Sequence, residues 1–244
     1  MKPHYLLPPV AAALLLWQLQ AAPPSKAPPA GEAVRAVLTA EESLRDVPLR
    51  DIVAAATGRQ ILPLLPDKQP ADAACREHLR KAADAVLTFL NAPGSPAKGL
   101  RRINEASRHV EDKLRALLND GDFSCDFPKT STGSTQRSGY PDLRLVHKPT
   151  GRVYYLDPKL YEAKSESSTL RTFYYEPREL TGKIHDDACH LLLGIAHDGN
   201  DGAWKFTTWR LTDLYEFRVR LKAEFQASNK DLYREALTVS RSVQ

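Results

Sequence analysis

This sequence is poor in the residues that staple a small fold or announce common chemistries. It holds three cysteines, Cys75, Cys125 and Cys189, with no CxxC and no Cys/His pair at zinc spacing. Structural zinc therefore has no ligand set, and at most one internal disulfide could form, with one thiol left over. The expectation is three core residues. Twelve glycines build no Gly-rich phosphate loop, and no GxSxG elbow occurs. P-loop and Ser/His/Asp hydrolase chemistries thus have no support. A dominant charge is missing as well: 34 Lys+Arg against 30 Asp+Glu leave a net +4. That excess permits a polyanionic partner without requiring one. From residue 98 onward, 24 basic residues face 21 acidic ones, too even for an electrostatic footprint on nucleic acid. No apolar run reaches the roughly 20 residues that a membrane-spanning helix needs.

What is present is globular: 42% hydrophobic and 26% charged residues in a chain of 244. That length suits one large domain, or one domain with a small helical extension. Lys2, the apolar run Val10 to Trp17 and the small pair Ala21-Ala22 read as an export signal over 1–22. A stiff Pro-rich linker follows at 23–31. The mature protein is then expected outside the cytoplasm, periplasmic or secreted, and free of the membrane.

Residues 32–97 are expected to form a helical extension. Helical periodicity over 32–57 is divided by Pro48, and Thr39 with Glu42 has the spacing of a capping box. Pro63 and Pro66 bar a long helix at 61–66. Leu79, Ala82, Ala83, Val86, Leu87 and Leu90 predict an amphipathic helix over 71–91. Residues 98–244 are read as a separate domain. It starts with a helix near 100–118, carrying Ile103, Val110, Leu114 and Leu117. After Gly121 the period changes to two. Leu143 to Lys148, the turn Pro149-Thr150-Gly151-Arg152 and Val153 to Leu156 predict a β-hairpin. His190 to Ala196 reads as a buried strand, Ala203 to Leu211 as its partner, and 213–236 as further helix. The fold class is mixed α/β (α+β): a central sheet flanked by helices.

The chemistry lies at the ends of the hairpin. Pro141-Asp142 opens the first strand and Asp157-Pro158-Lys159 closes the second. Symmetric arms bring positions 142 and 157 side by side, so their carboxylates could share one cation. Two such carboxylates suffice for Mg²⁺, which keeps several of its waters. The ion would offset phosphodiester charge and lower the pKa of a bound water. Lys159, two residues beyond Asp157, points the same way in an extended strand and could meet the attacking water or the developing charge.

PD at 141–142, a strand-sized gap and then D-P-K at 157–159 resemble the PD-(D/E)xK signature of restriction-endonuclease-like nucleases. The resemblance covers the hairpin directly and residues 98–244 loosely. It implies a mixed central sheet with flanking helices and a Mg²⁺-dependent nuclease acting on nucleic acid, chiefly DNA, with Mn²⁺ as a substitute ion. It implies Asp142 and Asp157 as metal ligands and Lys159 as the catalytic lysine. A glutamate on the preceding helix would complete the set; Glu111 is favoured over Glu105. A dimer is compatible with the family. Two other readings compete: an inactive nucleic-acid-binding module of the same fold, and an exported envelope interaction protein.

Further residues suit a polyanion. Ser165, Ser167, Ser168, Thr169 and Arg171 could bind phosphate, with Arg171 and Ser168 the foremost candidates. Tyr174 and Tyr175 could stack on bases, although such aromatics are more often core. Arg218, Arg220 and Lys222 alternate and would share a face if extended. His185, Asp186, Asp187 and His190 lack convergent metal spacing, and a helix cap at Asp186 or Asp187 is the expectation. Export has a direct test. Amino-terminal sequencing of the mature protein should start near residue 23, and a chain beginning at Met1 would end that reading.

Overall fold

The computed structural model describes residues 29–169 and 173–240. The expected signal at 1–22, most of the linker and Arg171 lie outside the described residues. Two units are distinguished. Among the described residues, one comprises 29–42 and 223–240, the other 43–169 and 173–222. In the first, α1 (Ala30–Ser43) runs as a helix with no buried residue, and it starts inside the span expected for the linker. Thr39 lies within α1, so it is not the cap of a helix. Helix is sparse after residue 213. A single turn, α5 (Asn229–Leu232), is closed by a capping box between Ser228 and Asp231, and Glu235–Leu237 is 3-10 helix. The longer helix expected over 213–236 is absent among the described residues. Leu214, Tyr215, Phe217 and Val219 pack on the second core in extended form, with Val219 paired to Val47, and few apolar residues at helical spacing follow them.

The larger unit is a mixed sheet with helices. Pro48 divides the early helical stretch as expected: β1 (Val47–Pro48) pairs antiparallel with β8 (Arg218–Val219), and α2 (Leu49–Thr57) follows. The main sheet contains β2 (Ile61–Leu62), β3 (Phe123–Asp126), β4 (Leu143–His147), β5 (Arg152–Glu162), β6 (Ala188–His197) and β7 (Phe206–Asp213). Its order is β2-β6-β5-β4-β3, with β7 also paired to β6. β5 and β2 run parallel to β6, whereas the β3/β4, β4/β5 and β6/β7 pairs are antiparallel. This is the expected class, a central mixed sheet flanked by helices.

Alternation along β5 explains the two cores. Tyr154 and Leu156 join Leu143, Leu145, Leu191, Leu193 and Ile195 beneath α3 (Pro70–Asn91) and α4 (Ser107–Leu118). Val153 and Tyr155 point the other way, to Leu49 and Val53 of α2, Tyr140, Ile184 and Leu214. Successive side chains of a strand alternate between faces, so one strand serves both layers. α3 begins with Pro at its first turn, where a missing N–H costs nothing, and buries Leu79, Ala82, Ala83, Val86 and Leu90. Residues 97 and 98, the expected domain boundary, lie between α3 and α4, and these two helices share one core. α4 starts at Ser107 rather than near 100, after a 3-10 turn at Ile103–Ala106. All three cysteines are free and buried.

Two buried polar groups tie the layers together. Asp72 is fully buried on α3. It accepts hydrogen bonds from Arg152 Nη2 (2.9 Å), Tyr154 Oη (2.8 Å) and the Leu65 amide (2.8 Å). His190, also fully buried, pairs its Nδ1 with Tyr140 Oη at 2.6 Å, while its Nε2 has no partner among the described residues.

Both groups make predictions. Asp72→Ala leaves a half-buried guanidinium unpaired and should cost about 3–5 kcal/mol in urea unfolding. A loss under ~1 kcal/mol would show that Arg152 finds other compensation. Burial holds the His190 imidazole down to about 3, so it stays neutral in the folded chain. The unfolded chain takes up that proton near pH 6.5. Its contribution is therefore complete above that value and is lost as pH falls toward 3, at up to about 1.4 kcal/mol per pH unit. His190→Gln should flatten the acid limb of the stability curve, and an unchanged limb would exclude His190 as its source.

Candidate active site

The β4/β5 ladder places the two aspartates. Leu143 pairs with Leu156 as the last pair of the ladder, and Asp142 and Asp157 stand one position beyond it. Register depends on the turn, where Gly151 takes φ +70°, a conformation that a side chain resists. β4 ends at this point, but β5 does not. It continues to Glu162 along β6, with Asp157 opposite Leu192 and Lys159 opposite Gly194. The sequence reading closes the strand at Asp157-Pro158-Lys159. Instead Pro158 sits in an interior strand, tolerated because β4 no longer flanks it there and its missing N–H leaves no ladder bond unmade.

The open flank of β5 forms one wall of a cleft of about 610 Å³. Glu111, Asp142, Lys159, Ser165, Ser168 and Arg210 line it. Asp157 lies behind, its side chain 2% exposed, against 14% for Asp142 and 33% for Lys159. Lys159 Nζ is 2.6 Å from Asp157 Oδ2 and 3.7 Å from Asp142 Oδ2, a single ammonium between two carboxylates. Asp157 Oδ2 nonetheless accepts no hydrogen bond of good geometry among the described residues. An ion pair without directed bonds leaves that buried oxygen with unused acceptor capacity.

The charges are strained against one another. Burial and the neighbouring Asp157 charge push the Asp142 carboxyl up to about 8, opposed by Lys159. Burial works against the Lys159 ammonium, but Asp157 and Asp142 outweigh it and hold its pKa above the ordinary lysine value. Two carboxylates this close cannot both ionise freely without an added cation.

Glu111, on α4, faces the cleft but is already engaged: Arg137 Nε and Nη2 donate to its Oε2 at 3.2 and 2.8 Å. Arg137 also reaches Asp112 and the Arg108 carbonyl, and lies over the Phe127 ring. Glu105 is exposed in the 3-10 turn and does not line the cleft. Among the described residues no three His, Cys, Asp or Glu side chains converge as a ready metal cluster. The donor set available is thus Asp142 and Asp157, with Glu111 at its side.

The remaining candidates scatter. Ser168 lines the cleft, beside the 3-10 turn Ala163–Ser165. Tyr174 is exposed and donates to Glu176, whereas Tyr175 packs edge-on to Tyr140. Arg218 is bound to Asp46 and does not present a free basic stripe. Asp186 clamps Arg144 through two bonds of 2.8 Å and accepts from Tyr155 Oη, and Asp187 accepts from the Gln60 amide. These two acids lead into strand β6 and cap no helix. Three residues escaped the sequence reading: Arg137, which holds Glu111; Arg210, on the cleft wall; and Lys183, a buried lysine whose pKa burial lowers. None sits in a motif, and no local pattern marks them.

Residues 42–236 match the family model described as "MjaV: Type II restriction enzyme MjaV family". The type II restriction enzyme MjaV of Methanocaldococcus jannaschii is 31% identical over 193 residues, covering 75% of this chain and 83% of that protein. No solved structure matches. The model match spans well over half of the sequence, and the chain belongs to the type II restriction enzyme MjaV family.

Proposed function

We propose that this protein is a Mg²⁺-dependent DNA endonuclease of the PD-(D/E)xK type, cutting phosphodiester bonds in the cleft beside β5. One observation carries the reading: Asp142 and Asp157 each stand next to the paired Leu143 and Leu156, and the Lys159 ammonium lies 3.7 and 2.6 Å from their carboxylates. The family's relative, named as a type II restriction enzyme, supports DNA as the substrate.

The residues fit a hard divalent cation. Asp157 Oδ2 is buried with the Lys159 ammonium 2.6 Å away but no hydrogen bond of good geometry among the described residues, and Asp142 carries a carboxyl that burial and Asp157 push up to about 8. A cation bound there would relieve both, since oxygen ligands of this kind suit Mg²⁺ and Mn²⁺. When bound, the ion would supply Lewis-acid charge and activate water. Asp142, just before β4, and Asp157, within β5, would hold it, their spacing fixed by the ladder between the two strands. Lys159, beside both carboxylates, would offer its ammonium to the phosphate or the incoming water, where positive charge favours the transition state. Ser168 and Arg210 on the cleft wall supply phosphate contacts, and Arg210 is held by Glu166. Arg171 is proposed to add to them. Glu111 steadies Arg137 and faces the site without leaving its partner.

The test is cleavage of plasmid and linear DNA with Mg²⁺ or Mn²⁺. Asp157→Ala and Lys159→Ala should each lower the rate by at least about 10²-fold while the chain stays folded. Glu111→Gln should fall less, within about tenfold. Equal cleavage by wild type, Asp157→Ala and Lys159→Ala would discard the assignment. Salt-sensitive DNA binding with no turnover in any of them would favour an inactive binding module.

A further inference from the structure

The ladder of β5, β6 and β7 sets two cations in one row. Lys159 pairs with Gly194, and Gly194 pairs with Arg210. Residues directly opposite one another on neighbouring strands share a face of the sheet. Two strand spacings put the Lys159 and Arg210 backbones about 9–10 Å apart. Gly194 adds no side chain between them. The Tyr161 ring lies over it instead, with Cε1 3.2 Å from the place a Cβ would take. All four residues line the cleft.

Arg210 is held loosely. Its Nη1 donates to Glu166, the one hydrogen bond of this guanidinium among the described residues. Glu166 follows the 3-10 turn at the end of β5 and also lines the cleft. The two side chains are 67% and 51% exposed. An exposed pair of this kind contributes little to stability, so the fold does not depend on it. Nε and Nη2 keep their donors for another acceptor, and the fork of an arginine matches two oxygens of a phosphate. A carboxylate standing alone in a cleft that takes a polyanion would repel it. Glu166 instead sits on the cation that the polyanion needs, where a phosphate can replace it.

We propose that Arg210 forms a second phosphate subsite, which takes a phosphodiester group of the bound DNA beside the one at Lys159, and that Glu166 occupies this guanidinium until the phosphate displaces it. This deepens the reading of the cleft as the cleavage site and rests on it. Binding exchanges one ion pair for another: the guanidinium leaves the carboxylate and takes the phosphate, and Glu166 turns to water. Two cations on one sheet fix the direction in which a DNA strand leaves the acid pair. Glu166 and the phosphate compete for one group, so losing the carboxylate strengthens binding only while Arg210 is present. A carboxylate acting through space alone would weaken binding with or without Arg210.

The experiment is fluorescence anisotropy of a labelled DNA duplex of mixed sequence, titrated with the full chain without divalent cation over a series of salt concentrations. Thermal unfolding and Mn²⁺-dependent cleavage accompany it. The proteins are wild type, Arg210→Gln, Arg210→Lys, Glu166→Gln, the double variant Glu166→Gln/Arg210→Gln, and Asp157→Ala. Arg210→Gln should weaken binding roughly tenfold. It should also lower the slope of log affinity against log salt by about 0.9, the share of one phosphate. Arg210→Lys should keep most of that slope, because the charge remains. Glu166→Gln should tighten binding about two- to fivefold, the reach of an exposed ion pair. In the Arg210→Gln background the same change should give less than about twofold. Wild-type affinity and slope in Arg210→Gln, or an equal gain from Glu166→Gln in both backgrounds, overturns the proposal. So does failure of the Arg210 or Glu166 variants to fold, or a wild type without salt-sensitive affinity for the duplex. If Asp157→Ala loses cleavage while Arg210→Gln binds like wild type, only the subsite falls. If Asp157→Ala cleaves like wild type, the cleft reading itself falls, and this proposal with it.

Discussion

Two carboxylates held side by side at the frayed end of an antiparallel ladder are the constraint on which the rest of this molecule turns. Like charges at that spacing repel, and a free chain would separate them. The β4/β5 hairpin does not allow it, because Asp142 and Asp157 extend a register set by five backbone pairs and the Gly151 turn. A slip of one residue would turn every side chain of one strand to the opposite face and expose Leu143 or Leu156. The apolar core under α3 and α4 therefore enforces an electrostatic arrangement that is unfavourable by itself. Lys159 relieves part of it, two residues along the same strand.

The buried charges of this fold fall into two kinds, and the contrast is informative. Around Asp72 the acceptors are filled by Arg152, Tyr154 and a backbone amide, which locks α3 to the sheet. Satisfied networks of this kind rigidify a core. In the cleft the account stays open: Asp157 Oδ2 has no directed hydrogen bond among the described residues. The first kind maintains the scaffold, and the second is where the proposed cation would sit.

Much of the scaffold was legible in advance where one physical signal dominated. The α3 helix was visible because six apolar residues recur at helical spacing, and the hairpin because β-formers flank a Pro-Thr-Gly turn. Signals failed where tertiary context overrode them. Thr39 and Glu42 have the spacing of a cap yet lie at the end of a helix, and Asp186-Asp187 resembles a cap yet precedes a strand. β5 runs five residues beyond Asp157 because parallel pairing with β6 outweighs the proline. Parallel pairing links residues about 35 positions apart, and nothing local announces it.

The sequence by itself determined that two aspartates and a lysine would stand on one strand pair, because period-two geometry and a short turn follow from nearby residues alone. Only the tertiary structure decided what surrounds them. Glu111 rather than Glu105 faces the cleft because α4 begins at Ser107, and Arg137 ties that glutamate down from a different loop. Lys183, 24 residues beyond Lys159, is buried against the Gln136 carbonyl. Burial and charge coupling depend on distances through space, and a chain acquires those only when its separate stretches pack together.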